Sequence, residues 1–310
     1  MKVIYMGTPD FSVGALEAII KAGHEVVLVV TQPDKPKGRG KAMQASPVKE
    51  CALSHGLEVF QPTKIRESEN VEYLRKFDAD IFVVAAFGQI LPKSILDMPK
   101  YGCVNIHASL LPKYRGAAPI QWAVINGDEV TGVTTMLMNE GIDTGDMIAK
   151  KQVRLAEDET GGSLFDRLAE TGAELIVETM KMLEEGTAEF TPQNSEEATH
   201  TSMISKELGS IDWSKPAAEI ERLIRGLNPW PSAYTRLNGK TFKIWKAQVA
   251  EGSSSDKPGT IIKIGKNELL VQTGEGALSL TEVQLEGKKR MDVGSFLRGC
   301  QIEEGIVLTN

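Results

Sequence analysis

Two different spacings of hydrophobic and polar residues divide the chain. In the first 189 residues, short apolar runs alternate with segments whose apolar side chains recur every three or four positions. The runs that predict buried strands cover residues 3–6, 25–31, 58–60, 81–86, 103–106, 131–138 and 147–153. Alternating strands and helices are typical of a doubly wound α/β fold with a mostly parallel sheet, which we predict for residues 1–189.

Segments with helical spacing lie between these runs. They cover residues 8–23, 46–56, 71–77, 117–126 and 163–186. Thr8 and Ser46 are suited to the N-cap position, and each is followed by proline, which favours the first helical position. The Leu and Met stripe of the last segment, which is predicted to begin at Ser163, indicates a helix face buried in the core.

After residue 190 the pattern changes. Residues 190–205 show neither period and are rich in polar residues, so we interpret them as a linker. One helix is predicted at 216–225, followed by short strand-like runs at 240–249, 259–264, 268–273 and 277–283. Short strands between turn residues predict a small β-barrel of the oligonucleotide-binding (OB) type for residues 206–310.

Composition excludes several classes of protein. A chain of 310 residues suits two domains. No secretory signal is predicted, because Lys2 is followed by only four apolar residues before Gly7, and no apolar run approaches the roughly 20 residues of a membrane span. We therefore expect a cytoplasmic protein, acting as a monomer. The three cysteines include no C-x-x-C pair, so neither a disulfide framework nor a metal site is predicted.

Charge is unevenly distributed, which matters for nucleic-acid binding. The net charge is −7, but residues 1–205 carry −9 and residues 206–310 carry +2. Residues 35–49 include five basic residues and no acid. Such a loop is usually just a solvated surface, yet the absence of acids in an acidic half favours phosphate contact. The candidate contacts in this mobile loop are Lys35, Lys37, Arg39 and Lys41.

A second group of basic residues lies in the C-terminal part, interleaved with Trp230, Tyr234 and Trp245. Mixed basic and aromatic residues suit a nucleic-acid surface, although barrels also need aromatic residues in their cores. The candidate RNA contacts here are Arg222, Arg225, Lys243 and Lys246.

Chemistry is suggested by residues 102–116, which read GCVNIHASLLPKYRG. Side chains alternate along a strand, so Asn105 and His107 point the same way at its C-terminal end. An amide and an imidazole there can polarise a carbonyl and stabilise an oxyanion. A core-lining Asn and a satisfied His explain this stretch equally well. The glycine-rich loop 139–146 adds Asp143 as a candidate partner for His107, although Asp and Gly are also expected in an ordinary turn.

Five motifs resemble those of the formyltransferases that use 10-formyltetrahydrofolate. They read NIHASLLP at residues 105–112, GIDTG at 141–145, MGTPDF at 6–11, AFGQILP at 86–92 and LNPWP at 227–231. The first motif is long, and its occurrence together with the second is not expected by chance. One departure is Ser232, which stands where this family usually has glycine after the last motif.

The resemblance implies the activity and its site. A formyl group would pass from 10-formyltetrahydrofolate to the free amino group of initiator methionyl-tRNA, with Asn105, His107 and Asp143 as the catalytic residues. The basic loop would touch the acceptor arm of the tRNA. The implied folate-binding residues, acting largely through their backbone, are Phe87, Gly88, Gln89, Ile90, Leu91, Ser109, Leu110, Leu111 and Pro112.

Three alternatives remain at this stage. A sugar-nucleotide or purine-pathway formyltransferase would share the catalytic residues and the folate pocket. A non-catalytic nucleotide- or RNA-binding protein would leave Asn105, His107 and Asp143 unexplained. A dinucleotide oxidoreductase is disfavoured, because the first strand is not followed by the G-x-G-x-x-G spacing.

Overall fold

The apolar runs of the first half form one seven-stranded sheet in the computed structural model, which describes residues 1–37, 42–252 and 255–310. The described residues group into two units. The first comprises Met1–Pro119, Val130–Arg154 and Phe165–Thr201, and the second Ile120–Glu129, Leu155–Leu164 and Ser202–Asn310. Two short segments of the N-terminal half therefore belong to the second unit, which hydrophobic spacing alone does not reveal.

The strands of the first unit are β1 (Lys2–Gly7), β2 (Glu25–Val30), β3 (Lys35–Lys37), β4 (Ala42–Gln44), β5 (Val59–Phe60), β6 (Ile81–Ala85), β7 (Cys103–His107), β8 (Arg115–Gly116), β9 (Val130–Leu137), β10 (Met147–Arg154) and β11 (His200–Thr201). The main sheet has the order β10-β9-β7-β6-β1-β2-β5. Its seven strands coincide closely with the predicted runs, whereas β3, β4, β8 and β11 are short strands that the sequence did not predict. Strands β5, β2, β1, β6 and β7 are parallel, whereas β9 and β10 are antiparallel to their neighbours. The predicted mostly parallel α/β sheet is confirmed.

Helices connect these strands. They are α1 (Val13–Lys21), α2 (Pro47–Ser54), α3 (Ser68–Arg75), α4 (Lys93–Leu96), α5 (Pro119–Asn126) and α6 (Gly161–Glu185). The predicted N-cap of α2 is confirmed, because Ser46 Oγ accepts a hydrogen bond from the Lys49 N–H at 3.1 Å. The predicted start at Thr8 is wrong, since a 3-10 turn at Asp10–Ser12 precedes α1. None of the described helices is both long and apolar enough to cross a membrane.

Strand β7 lies inside the sheet, between β6 and β9, and all five of its residues are buried. On the face of Ile106, helix α6 approaches closely at Gly172, where a Cβ atom would come within 2.9 Å of Ile106 Cγ2. Glycine at this position allows α6 to pack directly on β7. Strand β7, which carries the candidate residues, is therefore held by β6 and β9 on its two sides and by α6 on one face.

Residues 190–205, predicted to be a linker, contain more regular structure than expected. A 3-10 turn covers Ser195–Glu197, and β11 pairs with β8 in parallel, with His200 opposite Arg115. These pairings fasten the segment to the loop that follows β7. The predicted mobile basic loop also has structure, since β3 and β4 pair as an antiparallel hairpin.

The second unit is built on an antiparallel sheet, as predicted. Its elements are α7 (Ala217–Gly226), β12 (Ala233–Leu237), β13 (Lys240–Ala250), β14 (Ile261–Ile264), β15 (Leu269–Gln272), β16 (Ala277–Leu285), β17 (Met291–Asp292) and α8 (Val293–Gly299). The strand order is β12-β13-β16-β15-β14, with β17 beside β16. The sequence did not predict β12, β17 and α8.

The end of the chain joins the two edges of this sheet. On one edge, the Arg236 N–H of β12 donates to Thr309 O at 2.7 Å. On the other, the Leu308 N–H donates to Gly259 O at 2.8 Å, next to β14. Because both edges are paired with the same segment, the sheet closes on itself around its apolar core.

Candidate active site

Asn105 and His107 occupy the C-terminal part of β7 and are both buried, with exposed fractions of 9% and 6%. In the register of the sheet, Asn105 lies opposite Val84 of β6 and Met136 of β9. As alternate residues of one strand, their side chains leave the same face, roughly 7 Å apart along the strand. The structure therefore places an amide and an imidazole together where parallel strands end.

His107 is oriented by contacts at both ring nitrogens. Its Nε2 lies 2.8 Å from Tyr114 O, and its Nδ1 lies 3.7 Å from Asp143 Oδ2. A carbonyl oxygen can only accept, so Nε2 carries a hydrogen in this arrangement. Nδ1 then faces the carboxylate of Asp143. The imidazole is therefore held in one orientation, with Nδ1 toward the carboxylate.

Asp143 reaches His107 from a loop that begins elsewhere on the sheet. Because β9 is antiparallel to β7, the loop that follows β9 starts beside the beginning of β7 and extends back toward its end. Asp143 has a left-handed backbone, with φ +52°, and its Oδ2 accepts the Gly116 N–H at 2.8 Å. Gly145 is required in this loop, since a Cβ atom would lie 1.7 Å from Leu137 O.

The amide of Asn105 makes no hydrogen bond within residues 1–37, 42–252 and 255–310. Among the described residues, Thr281 Oγ1 is the one fully enclosed side-chain polar atom without a partner, so the Asn105 amide is open to solvent or to a ligand. A free donor beside His107 is suited to an oxygen atom of a ligand.

The predicted folate-binding residues at 87–91 present free backbone groups. Phe87 O already accepts from Thr8 Oγ1 at 3.2 Å and from Gln32 Nε2 at 3.1 Å. By contrast, the N–H and C=O groups of residues 88–91 have no partner in the described part of the chain. Such groups can read the hydrogen-bonding edge of a planar ring without a charged side chain.

The side chain of Gln89 has a structural task within this loop. Its Oε1 accepts the Ile65 N–H at 2.7 Å, and its Nε2 donates to Pro62 O at 3.0 Å. Both ends of the amide are thus engaged by the neighbouring chain. Gln89 can contribute its backbone to a ligand, while its side chain fixes the loop.

The other predicted folate segment, residues 109–112, is attached to the sheet by Thr134 and Lys150. Thr134 Oγ1 donates to Ser109 O at 2.7 Å and accepts the Leu111 N–H at 3.1 Å. Lys150 Nζ donates to Leu111 O at 2.6 Å. Residues 109–112 are therefore held in a fixed position by hydrogen bonds to the sheet.

The sequence did not predict the residues that hold the candidate site residues in place through hydrogen bonds. Arg115 Nε donates to Gln193 Oε1 at 3.0 Å, and Gln193 Nε2 donates to Asp143 O and Gly145 O, each at 2.8 Å. Thr199 Oγ1 accepts the Tyr114 N–H at 2.8 Å. Gln193 and Thr199 belong to the polar segment 190–205, whose sequence carries no signal for these contacts.

The predicted RNA-binding residues fall into different surroundings. Lys35 is exposed on the β3–β4 hairpin, Lys37 ends β3, and Arg39 and Lys41 lie outside the described residues. In the second unit, Arg222 Nε donates to Ile125 O at 3.2 Å. Arg225 pairs with Glu221 at 2.6 Å and donates to Glu159 O at 2.8 Å. Both arginines of α7 are thus engaged within their own unit.

Lys243, Trp245 and Lys246 share the outer face of β13. The buried residues nearby are Phe242, Ile244 and Ala247, and the register with β16 shifts between 244 and 247. This bulge turns both Trp245 and Lys246 outward.

Two cations flank the indole of Trp245. Lys243 Nζ lies 5.6 Å and Arg290 Cζ 4.4 Å from the centre of the ring. Arg290 also binds Glu282 at 2.6 Å and holds the pKa of that carboxyl below its usual range. We name Lys243, Trp245, Lys246 and Arg290 the aromatic-basic patch.

One group of three potential metal ligands occurs in the described part of the chain. The ligand atoms of Glu17, Cys51 and His55 lie within 4.8 Å of one another. Burial and the neighbouring Glu17 raise the pKa of the Cys51 thiol, which disfavours the thiolate that binds metals. We assign no metal to this group.

Comparison with known proteins places these features in context. A family model described as formyl transferase matches residues 1–180, and one described as formyl transferase, C-terminal domain, matches residues 203–301. A methionyl-tRNA formyltransferase of Agathobacter rectalis is 79% identical over 309 residues, covering 100% of both chains. Another, of Lachnospira eligens, is 57% identical over 313 residues and covers 99% of each.

Solved structures share the fold. An N-formyltransferase from Helicobacter canadensis, in complex with folinic acid and dTDP-3-aminofucose, superposes with a TM-score of 0.66 at 20% identity. The match covers 90% of this chain and 98% of that one.

Proposed function

Because this chain belongs to the formyl transferase family, we propose how its residues carry out the family's reaction. The chain transfers a formyl group from 10-formyltetrahydrofolate to the free amino group of methionyl-tRNA, as its full-length relatives do. The proposal assigns this chemistry to Asn105, His107 and Asp143. The observation that carries it is the 3.7 Å approach of His107 Nδ1 to Asp143 Oδ2 beside a free Asn105 amide.

The substrate supplies the nucleophile. The α-amino group of an aminoacyl ester has a neutral fraction near pH 7, since the pKa of a free α-amine is about 7.7–8.0. Its nitrogen attacks the formyl carbon and forms a new C–N bond, and the bond from that carbon to N10 of the folate then breaks. No Ser or Cys of the protein has to act as a nucleophile.

The three side chains have separate tasks in this step. The Asn105 amide donates to the oxyanion that develops on the formyl oxygen, and the imidazolium of His107 adds positive charge beside it. Asp143 stabilises that imidazolium. It also assists transfer of a proton from the attacking amine to N10 of the folate, directly or through water. The proton lost by the attacking amine thus ends on the leaving nitrogen.

The folate fits residues 87–91 and 109–112. Support comes from the unpaired backbone groups of residues 88–91 and from the fixed position of residues 109–112. Hydrogen bonds from such groups would orient the pterin ring of the folate. The formyl group on N10 would then lie beside Asn105 and His107.

For the RNA, we propose contacts in both parts of the chain. The β3–β4 hairpin with its basic loop would reach the acceptor arm, and the aromatic-basic patch of residues 206–310 would bind another part of the tRNA. Lys243 and Lys246 are cations on the outer face of β13, and Lys243 lies against the indole of Trp245, which suits phosphate contact. Arg222 and Arg225 are less suited, because both already bond within their unit.

The assignment extends to domains and location. Residues 1–189 would carry the catalysis and residues 206–310 the second RNA surface, with the chain acting as a monomer in the cytoplasm. A formylation assay tests the function directly. Purified initiator methionyl-tRNA should accept label from formyl-labelled 10-formyltetrahydrofolate, whereas elongator methionyl-tRNA and an amino-sugar nucleotide should accept little. Equal labelling of the sugar nucleotide would contradict the assignment.

A further inference from the structure

We propose that Gln193 is a positioning residue that fixes the Asp143 carboxylate against His107. The inference rests on the proposed function and adds a residue from a segment that the sequence indicates only as a linker. Gln193 reaches Asp143 through its backbone, so it acts without touching the reacting atoms.

The side-chain amide of Gln193 is almost fully used. Its two N–H groups donate to Asp143 O and Gly145 O, each at 2.8 Å, and its Oε1 accepts from Arg115 Nε at 3.0 Å. An amide nitrogen has two hydrogens, so both of its donors are directed at the loop that carries Asp143. Arg115 is itself buried, with 5% of its surface exposed.

These contacts complete a ring of hydrogen bonds around the catalytic pair. The neighbours of Arg115 in the chain supply Tyr114 O to His107 Nε2 and the Gly116 N–H to Asp143 Oδ2. Gln193 then links Arg115 to the backbone of Asp143. The segment that orients the imidazole is thereby connected to the loop that presents the carboxylate.

The loop needs such an anchor. Asp143 has a left-handed backbone at φ +52°, a conformation that aspartate adopts more readily than most residues but less readily than glycine. The neighbouring Ile142 is 66% exposed and contributes little packing. Without the two bonds from Gln193, the carboxylate could move away from His107 while the rest of the sheet stays folded.

The proposal predicts a loss of turnover rather than of substrate binding. Within the described residues, the Gln193 side chain bonds to Arg115 and to the loop that carries Asp143, and its Nε2 lies 4.0 Å from Met136 Sδ. None of these is a proposed substrate-binding residue, so both KM values should stay near those of the wild type. A misplacement of about 1 Å can cost roughly 10²-fold in rate, so kcat should fall by up to that factor.

Two variants separate this role from simple anchoring of the 190–201 segment. Gln193→Leu removes all three hydrogen bonds at nearly constant size. Gln193→Glu retains an acceptor for Arg115 but has no donor for Asp143 O or Gly145 O. Asn194→Ala is the matched control, because in the described part of the chain the Asn194 side chain bonds only to Glu196 and Glu197 of its own segment.

The experiment measures kcat and both KM values with formylfolate and initiator methionyl-tRNA, together with the folded fraction of each protein. We expect Gln193→Leu and Gln193→Glu to lower kcat by about 10–100-fold while both KM values stay near those of the wild type. Asn194→Ala should stay within about twofold of the wild type in every parameter.

Two results would overturn the inference. One is a wild-type kcat in Gln193→Glu. That result would show that turnover needs the bond to Arg115 but not the two bonds to the loop that carries Asp143. The other is a fall in kcat that the unfolded fraction fully explains, or one accompanied by an equal rise in KM. Failure of the wild type itself to formylate methionyl-tRNA would contradict the proposed function instead, so the two failures are distinguishable.

Discussion

The imidazole of His107 and the carboxylate of Asp143 face each other across 3.7 Å, although they belong to different strand–loop segments of the first sheet. The distance exceeds that of a good hydrogen bond but lies within ion-pair range. The carboxylate is also held by the Gly116 N–H, so its position does not depend on the charge of the imidazole. The pair is therefore arranged before any substrate binds.

Replacing the carboxylate of Asp143 by an amide should abolish most of the activity. We expect Asp143→Asn to lower kcat by about 10²–10⁴-fold, since the imidazolium loses its counter-charge and proton transfer loses its partner. Glu140→Gln is the control, because Glu140 is an exposed carboxylate of the same loop. Steady-state formylation kinetics of both proteins check the prediction, and equal losses in the two variants would argue against a specific role.

Asn105 should contribute to catalysis without contributing to stability. Its amide has no partner among the described residues, so Asn105→Ala removes no hydrogen bond from the folded protein. We expect kcat to fall by about 10²–10³-fold while the thermal midpoint stays the same or rises. A lower midpoint with normal kcat would show that the amide is structural.

Lys246 should contribute to RNA binding through counterion release. If Lys246 contacts one phosphate, Lys246→Ala should make the slope of log K against log salt shallower by about 0.7–0.9. Lys257→Ala is the control, because Lys257 is an exposed lysine of the same unit without an ion pair in the described part of the chain. Filter binding of initiator tRNA at several salt concentrations measures the slope for each variant. If the Lys246→Ala slope is identical to that of Lys257→Ala, Lys246 does not contact the RNA.

His24 should make the stability of the first unit depend on pH. Burial, followed by the nearby Met1 ammonium group, lowers the pKa of His24 below its ordinary value of 6.5. Protonation of His24 therefore costs more in the folded than in the unfolded chain, and stability falls as pH drops below that ordinary value. His24→Gln cannot be protonated and should lose less stability between pH 7.5 and pH 5.5. Thermal midpoints of both proteins at the two pH values check this, and parallel losses would contradict it.

Local pattern was sufficient to predict the strands of the first sheet and the position of Asn105 and His107 at the end of a buried strand. Buried runs such as 81–86 and 103–106 have few other interpretations, and the motif around Asn105 and His107 is long. The position of Asp143 was harder, because β9 proved antiparallel to β7. The contact with His107 arises because the loop after β9 is long enough to return along the sheet.

The remaining features depend on contacts between distant parts of the chain. The β8–β11 pairing is two residues long and has no periodicity, so neither Tyr114 O beside His107 nor Gln193 beside Asp143 could be predicted. At Ser232 the sequence did give a signal. This residue replaces the usual glycine of the family, and it adopts φ +71°, a region that favours glycine.

The most direct test of the account is the rate of formyl transfer by His107→Ala with saturating formylfolate and initiator methionyl-tRNA, measured on protein whose folding has been verified by circular dichroism. We predict a rate about 10²–10⁴-fold below that of the wild type, because His107 supplies positive charge beside the oxyanion that develops on the formyl oxygen. A folded His107→Ala protein that transfers formyl at a near-normal rate would contradict the central claim.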